Sequence, residues 1–353
     1  MTHTSCLYRF IRTVMAVAGV CITTSCDHKD LCFDHPDHAL RSQTRIEADY
    51  NRVWEIGGTG TPQWRNSWPV SFGIDYMSLV PPVPAGLCMN AYSANGTSVT
   101  SHIPAKGGIV EMAAGDNELL FFNDDTEYII FDRLNASVSA KATTRTRTRS
   151  SYSGNPFYKG GRDNGEEERT VTPPDFLFGH YIEHYDQLRL AEPPLLQVRL
   201  QPLVYTYLIR YEFDGGIEYV GLARGALAGM AESVFLYDGH TGPEQATILY
   251  DCTVEPWGVQ AVVNSFGVPD YPNPIYPSSR AGSFALNLEV RLRNGKTFSF
   301  NFDISDQMAG QPHGGVIIVK GIRITDEQGN ESGSGFDVDI DDWGEFNDID
   351  INL

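Results

Sequence analysis

FALNLEVRLRNGKTFSFNFDI, residues 284–304, decides how the fold is read. Apolar and polar side chains alternate on both sides of Arg293-Asn294-Gly295-Lys296, through Leu286, Leu288, Val290 and Leu292 before it and Phe298, Phe300 and Phe302 after it. Period-two alternation marks a half-buried strand, and Asn-Gly between two such runs predicts a hairpin with positive φ at both turn positions. The texture extends outward through Leu195 to Phe213, Tyr219 to Leu222, Ala226 to Leu236, Ala246 to Val254, Ala261 to Val263 and Val316 to Ile324. Gly221, Gly225 and Gly229 argue against a helix over 221–230.

The first half reads the same way. Arg45 to Ile56 alternates Ile46, Ala48 and Tyr50 against polar neighbours, and Leu87 to Tyr92 is a short apolar strand. Leu119 to Phe122 and Tyr128 to Phe131 are two more, with Asn123-Asp124-Asp125 expected as the turn between them. Residues 140–174 carry the alternating Thr/Arg run 143–150, a Gly/Asn/Glu-rich stretch and Pro173-Pro174, which together predict a mobile loop. Asp175 to Leu190 then resumes the first domain, and Pro193-Pro194 is the expected boundary. Short strands with turn residues between them indicate an all-β chain of two β-sandwich domains in series, 44–192 and 193–353.

Before these domains stands an export signal. Arg9 and Arg12 precede an apolar run from Val14 to Ile22, which ends in Thr23-Thr24-Ser25-Cys26. The run is too short to cross a bilayer, which needs roughly 20 apolar residues, so residues 1–25 read as a cleavable signal peptide. Residues 26–43 are polar and rich in His and Asp, a flexible tether. Formal charge is −19, and becomes −21 once Arg9 and Arg12 leave with the signal, a balance that repels nucleic acid. Beyond the tether Cys88 and Cys252 remain, with Cys32 inside it, an odd set that gives no disulfide framework.

No stretch carries a catalytic motif: Gly-x-Ser-x-Gly, a Walker loop, His-Glu-x-x-His and Cys-x-x-Cys are all missing from the sequence. An enzyme, a catalytic residue and a cofactor are therefore not expected. The tether's Asp27, His28, Asp30, Cys32, Asp34, His35, Asp37 and His38 are metal-ligating types without a scaffold to fix them, so no metal site is assigned. Asp337, Asp339 and Asp341 start like an EF-hand loop, but Asp342 stands where the sharp turn needs Gly. Their alternation with Phe336, Val338 and Ile340 reads instead as an acidic edge strand. Arg145, Arg147 and Arg149 are expected on a solvated loop, where Arg149 is a candidate for proteolytic processing or glycan contact. Trp54, Trp64, Trp68, Trp257 and Trp343 are core or edge packing before they are sugar platforms.

Thr23 and Ser25 before Cys26 resemble a lipobox of the Bacteroidota kind, which makes Cys26 the lipidation (palmitate-bearing) residue. Asp27-His28-Lys29-Asp30 resembles a surface-export tag. Together with residues 26–35, 123–131 (NDDTEYIIF), 225–233 (GALAGMAES) and 336–343 (FDVDIDDW), the chain resembles uncharacterised Bacteroidales lipoproteins related to the fimbrillin-like proteins. The resemblance implies two transthyretin-like β-sandwiches and a place in type V pilus systems, where lipidated subunits reach the outer membrane and assemble by strand donation. Anchor subunits of that group keep the lipid, whereas stalk subunits are trimmed after an arginine near the N-terminus; Arg41 and Arg45 lie in that region. An added strand gains main-chain hydrogen bonds, with side-chain pockets for selectivity. The candidate partner contacts are Arg45, Ile46 and Tyr50 on the first strand and Phe336, Val338 and Ile340 on the last. The expected role is a surface-exposed outer-membrane lipoprotein acting as pilus anchor or accessory subunit in fimbrial assembly and cell adhesion. The alternative is an outer-membrane lipoprotein that binds a glycan or host ligand.

Overall fold

The computed structural model describes residues 42–56, 63–157, 169–273 and 284–330. Cys26, Arg41, the edge strand at Phe336, Val338 and Ile340, and Trp343 lie outside the described residues. The first half contributes β1 (Gln43–Tyr50), β2 (Gly86–Ser93), β3 (Ser98–Pro104), β4 (Ile109–Glu111), β5 (Gly115–Phe122), β6 (Ile129–Asp132), β7 (Lys141–Thr144), β8 (Arg169–Val171), β9 (Phe178–Gln187) and β10 (Leu195–Pro202). The second half contributes β11 (Tyr205–Gly215), β12 (Val220–Ala231), β13 (Ser233–Phe235), β14 (Gln245–Glu255), β15 (Gly258–Ser265), β16 (Ala285–Leu292), β17 (Thr297–Asp303) and β18 (Gly315–Arg323). The described helices are short, and none is long and apolar enough to cross a membrane.

One sheet runs β3-β2-β5-β9-β10-β1-β4, with β1 and β10 parallel. The other runs β17-β16-β12-β14-β15-β11-β18, with β8 added to β14. The two sandwiches expected in series are present. The second sheet curls around one core, since Tyr211 on β11 meets Phe302 on β17 at 6.1 Å between ring centroids. Its hydroxyl is hydrogen-bonded to that of Tyr250 at 2.8 Å. In the first sheet alternation sorts side chains between two cores. Leu87, Met89, Leu119 and Phe121 pack with Ile46, Phe178, Val198 and Leu200. Their neighbours Cys88, Leu120 and Phe122 face the other way, onto Ile129, Ala142, Ala231, Val234 and Phe266. That second core draws residues from both halves of the chain.

Several expectations give way here. Leu195 to Phe213 is two strands: β10 pairs with β1 and β9 of the first sheet, and the passage to the second sheet is Leu203-Val204, both buried. The crossover therefore falls about a strand later than Pro193-Pro194, because alternation continues across it and marks no change of sheet. Within the 140–174 stretch, β7 pairs with β6 and β13, and β8 pairs with β14. Asn123-Asp124-Asp125 does not close a hairpin, because β5 pairs with β2 and β9 while β6 leaves for the small β13-β7-β6 sheet. Asn123 instead ties the exit down, accepting from the Phe178 amide at 2.7 Å and donating to the Phe176 carbonyl at 3.1 Å. The β16–β17 hairpin forms in register from Ala285↔Asp303 to Arg291↔Thr297. Of its two central residues only Gly295 has positive φ, +84°. The Gly295 amide donates to Leu292 O at 2.8 Å and the Leu292 amide to Lys296 O at 2.8 Å. That is a tight turn followed by a left-handed glycine, the geometry of a three-residue loop.

Gly225 on β12 has a packing reason: a Cβ there would collide with the Tyr250 ring on the paired strand β14. Next to it, Arg224 and Glu289 are register partners on β12 and β16 and are both buried, with Nε and Nη2 at 2.8 and 2.7 Å from Glu289 Oε1. Removing one partner of a buried pair strands the other charge. Glu289→Ala is expected to cost about 3–5 kcal/mol of unfolding free energy, whereas Asp49→Ala, in an exposed pair with Arg199, stays within about 0.5 kcal/mol. Urea denaturation of both variants checks this, and equal small losses would contradict it.

His313 stacks on Tyr205 at 4.1 Å and meets Tyr271 edge-on at 4.8 Å. Burial lowers its imidazole from the ordinary 6.5 to about 4. Below 6.5 the unfolded chain takes up a proton that the fold refuses, so the stability supplied by neutral His313 drains as pH falls toward about 4. Glu55, held up to about 7 by burial against a lowering hydrogen bond from Tyr76, acts in the opposite sense. Comparison with His313→Phe isolates the histidine, since Glu55 is common to both proteins. Urea midpoints across this range are expected to fall less steeply with acid in the variant, and parallel curves would rule the assignment out.

Candidate assembly interface

The first strand is built into its sheet from both sides. Arg45 to Tyr50 pair in parallel with Leu195 to Leu200, and Gln43 to Arg45 pair antiparallel with Glu111 to Ile109. The second side continues past β4, with the Ile46 amide donating to Gly108 O at 2.8 Å and the Ala48 amide to Lys106 O at 3.1 Å. Thr44 and Ile46 point inward and are buried, and Ala48 and Tyr50 pack on the same core. Thr44 Oγ1 is hydrogen-bonded with Tyr185 OH at 2.8 Å and donates to Gln187 Oε1 at 2.5 Å. Tyr50 donates to Ala105 O at 2.7 Å and meets Phe178 edge-on at 5.4 Å. Its burial, with Asp125 and Asp124 nearby, pushes the phenol up to about 12. The first strand is thus an interior strand, paired on both sides, rather than a free edge at which a partner strand could add as the candidate contacts required. Arg45 points outward and Ile46 and Tyr50 inward, so the three do not share one accessible face.

After β1 the chain crosses to the other sheet, a step that no sequence pattern announces. Trp54 O accepts from the Thr206 amide at 2.8 Å, and Ile56 bridges His313. Trp54 and Phe72 are buried on the outer side of that sheet against Leu208 and Val316, with Trp64 and Trp68 packed around them. Trp68 touches Trp54 at 5.8 Å and Phe72 at 5.0 Å, both edge-on. Arg210 pins this cover by donating to Phe72 O at 2.8 Å while its guanidinium lies 3.7 Å from the Trp257 ring centre. The four described tryptophans are therefore engaged in packing. The arginine run also differs from expectation. Arg149 is 7% exposed, donating to Gly225 O at 3.2 Å and Asn287 Oδ1 at 2.8 Å. Arg147 lies 3.5 Å from Asp251, and Arg145 stands 6.0 Å over the Tyr128 ring. This segment lies on the second sheet as a cover, so Arg149 does not present a processing site or a glycan contact.

The profile of a family described as a domain of unknown function, DUF5119, matches residues 63–251, more than half the chain. The chain belongs to the DUF5119 family. Among curated proteins no sequence matches it. A candidate adhesin from Bacteroides ovatus has a similar structure, at 18% identity over 86% of this chain and 95% of the other, with a TM-score of 0.53. That likeness shows a shared fold. The fimbrial anchor protein Mfa2 from Porphyromonas gingivalis aligns over 79% of this chain and 90% of its own, at 10% identity and a TM-score of 0.39.

This DUF5119 chain also has an open cleft of about 390 Å³ beside the β5–β6 connection, lined in part by Pro84, Asp125, Tyr128, Pro173, Asp175 and Asn264. Its carboxylates serve the fold: Asp175 accepts the amides of Glu127 and Tyr128 at 2.7 and 2.6 Å, and Asp125 that of Ala85 at 2.6 Å. The lining residues come from distant segments, which hid the cleft from sequence reading. Among the described residues no group of His, Cys, Asp and Glu is placed to hold a metal. For the DUF5119 chain, Ile46→Ala is expected to cost about 2–5 kcal/mol and Arg45→Ala to stay within about 0.5 kcal/mol, read by chemical denaturation. Limited trypsin digestion of the folded protein should leave the bond after Arg149 intact, and early cleavage there, detected by peptide mass, would show the segment to be exposed.

Proposed function

We propose that this protein is a membrane-tethered subunit of a surface pilus, an anchor or accessory subunit that keeps its N-terminal tether. Cys26 carries the lipid, the tether leads to β1, and the two sandwiches stand on the outer membrane facing outward. The observation that carries this reading is the placement of β1. A cut after Arg45 removes only Gln43–Arg45 from the strand and leaves Ile46, Ala48 and Tyr50 filling the core. No strand-accepting groove opens, so the stalk role gains nothing from processing at that residue. The shared fold with a candidate adhesin supports a place in cell adhesion. Strand donation to a neighbouring subunit then falls to the C-terminal segment with Phe336, Val338 and Ile340. The rival reading, a glycan or host-ligand binder, is less favoured because Arg149 and the four described tryptophans, residues it relied on, are used in packing.

Intact mass and the N-terminus of the protein from native membranes test the proposal. An acylated Cys26 is expected. A mature chain beginning at Ile46 or Val53, after Arg45 or Arg52, would overturn it in favour of a polymerising stalk subunit. Deleting residues 336–353 should abolish assembly while leaving a folded, membrane-bound protein, and unchanged assembly would rule out the C-terminal donor.

A further inference from the structure

At the start of β1 the register places three side chains in one row on the outer face of the sheet. Ile109 on β4 and Leu195 on β10 are both paired with Arg45, and directly paired residues project to the same side. Adjacent strands lie about 4.8 Å apart, so the two apolar groups stand about 10 Å from each other with the Arg45 stem between them. Ile109 is 59% exposed and Leu195 45%. The link from β9 to β10 adds Leu188 and Leu190, 54% and 38% exposed, with Arg189 between them. The Gln187 side chain donates to both Gln43 O and Leu188 O, which fixes the start of this link against the start of β1. Glu111, held by Gln43 at 2.6 Å, and the exposed Glu192 lie at its margin. Among the described residues, four of the eleven exposed large hydrophobic residues thus gather where the chain enters the fold.

We propose that this corner is a lipid-contacting face, which seats the first domain on the bilayer. The inference rests on lipidation at Cys26. The chain from Cys26 to Ser42 reaches at most about 55 Å when extended and about 20–25 Å as a flexible coil. The entry corner is therefore the part of the folded protein held nearest the lipid. Branched apolar side chains interleaved with arginines suit the boundary between headgroups and acyl chains, where apolar groups bury while the guanidinium stays hydrated. Seating fixes the domain's orientation: it directs the far ends of the sheets away from the membrane, which a lipid on Cys26 alone does not do.

The full-length protein, expressed with its leader, is purified and placed in vesicles of phosphatidylethanolamine and phosphatidylglycerol that contain a diazirine-bearing phospholipid. After illumination, peptide mass spectrometry reads both the acyl group on Cys26 and the sites of lipid attachment. Attachment concentrated on peptides with Leu188 to Leu195 and Ile109, several-fold above peptides with the exposed Val70 and Val138, is the expected result. Acylated Cys26 with attachment no higher at the corner than at Val70 and Val138 overturns the inference and leaves the anchoring reading intact. Unmodified Cys26 refutes the anchoring reading, and this inference with it. Leu188→Asn with Leu195→Asn, at surface positions that leave circular dichroism unchanged, should lower attachment at the Ile109 peptide several-fold. Undiminished attachment there in the folded variant would also count against the proposal.

Discussion

Strands β2 and β5 are buried on both faces, and the second half of the chain supplies part of the cover for one of them. Cys88, Leu120 and Phe122 would face water without Ala231, Val234, Leu236 and Phe266 packed over them. Apolar area gains about 25 cal/mol per Å² on leaving water, so separating the halves would expose a core. This constraint explains why Leu203 and Val204, the two residues joining β10 to β11, are buried. A junction made this way holds the sandwiches as a unit and not as two domains on a hinge.

The crossings reinforce that bond. Residues 54–56 and 63–80 lie away from the first sheet and cover β11 and β18, and β7 and β8 attach to β13 and β14. The crossings bury charged groups, among them Arg149, which the sequence suggested was exposed. Arg149 gives up solvent for two hydrogen bonds beside the Arg224–Glu289 pair, and Arg210 is held between Phe72 and Trp257. Buried charges persist only with such partners.

Period two in the sequence determined the class of fold, and in most of the second half it located the strands themselves. Residues 284–304 form the hairpin they spell out, because side chains on a half-buried strand must alternate whatever lies beside it. The inward set of Ile46, Ala48 and Tyr50 was legible for the same reason. Alternation states which side chains face a core, and it is silent about which strand is the neighbour. Tertiary structure alone decided that β1 lies between β10 and β4, that β10 belongs to the first sheet, and that Arg149 is buried. Those outcomes depend on backbone pairing between segments as far apart as β1 and β10, about 150 residues, where any strand offers the same amides and carbonyls to any other. Covering both faces of β2 and β5, and the core face of the strands beside them, is what selects among the pairings.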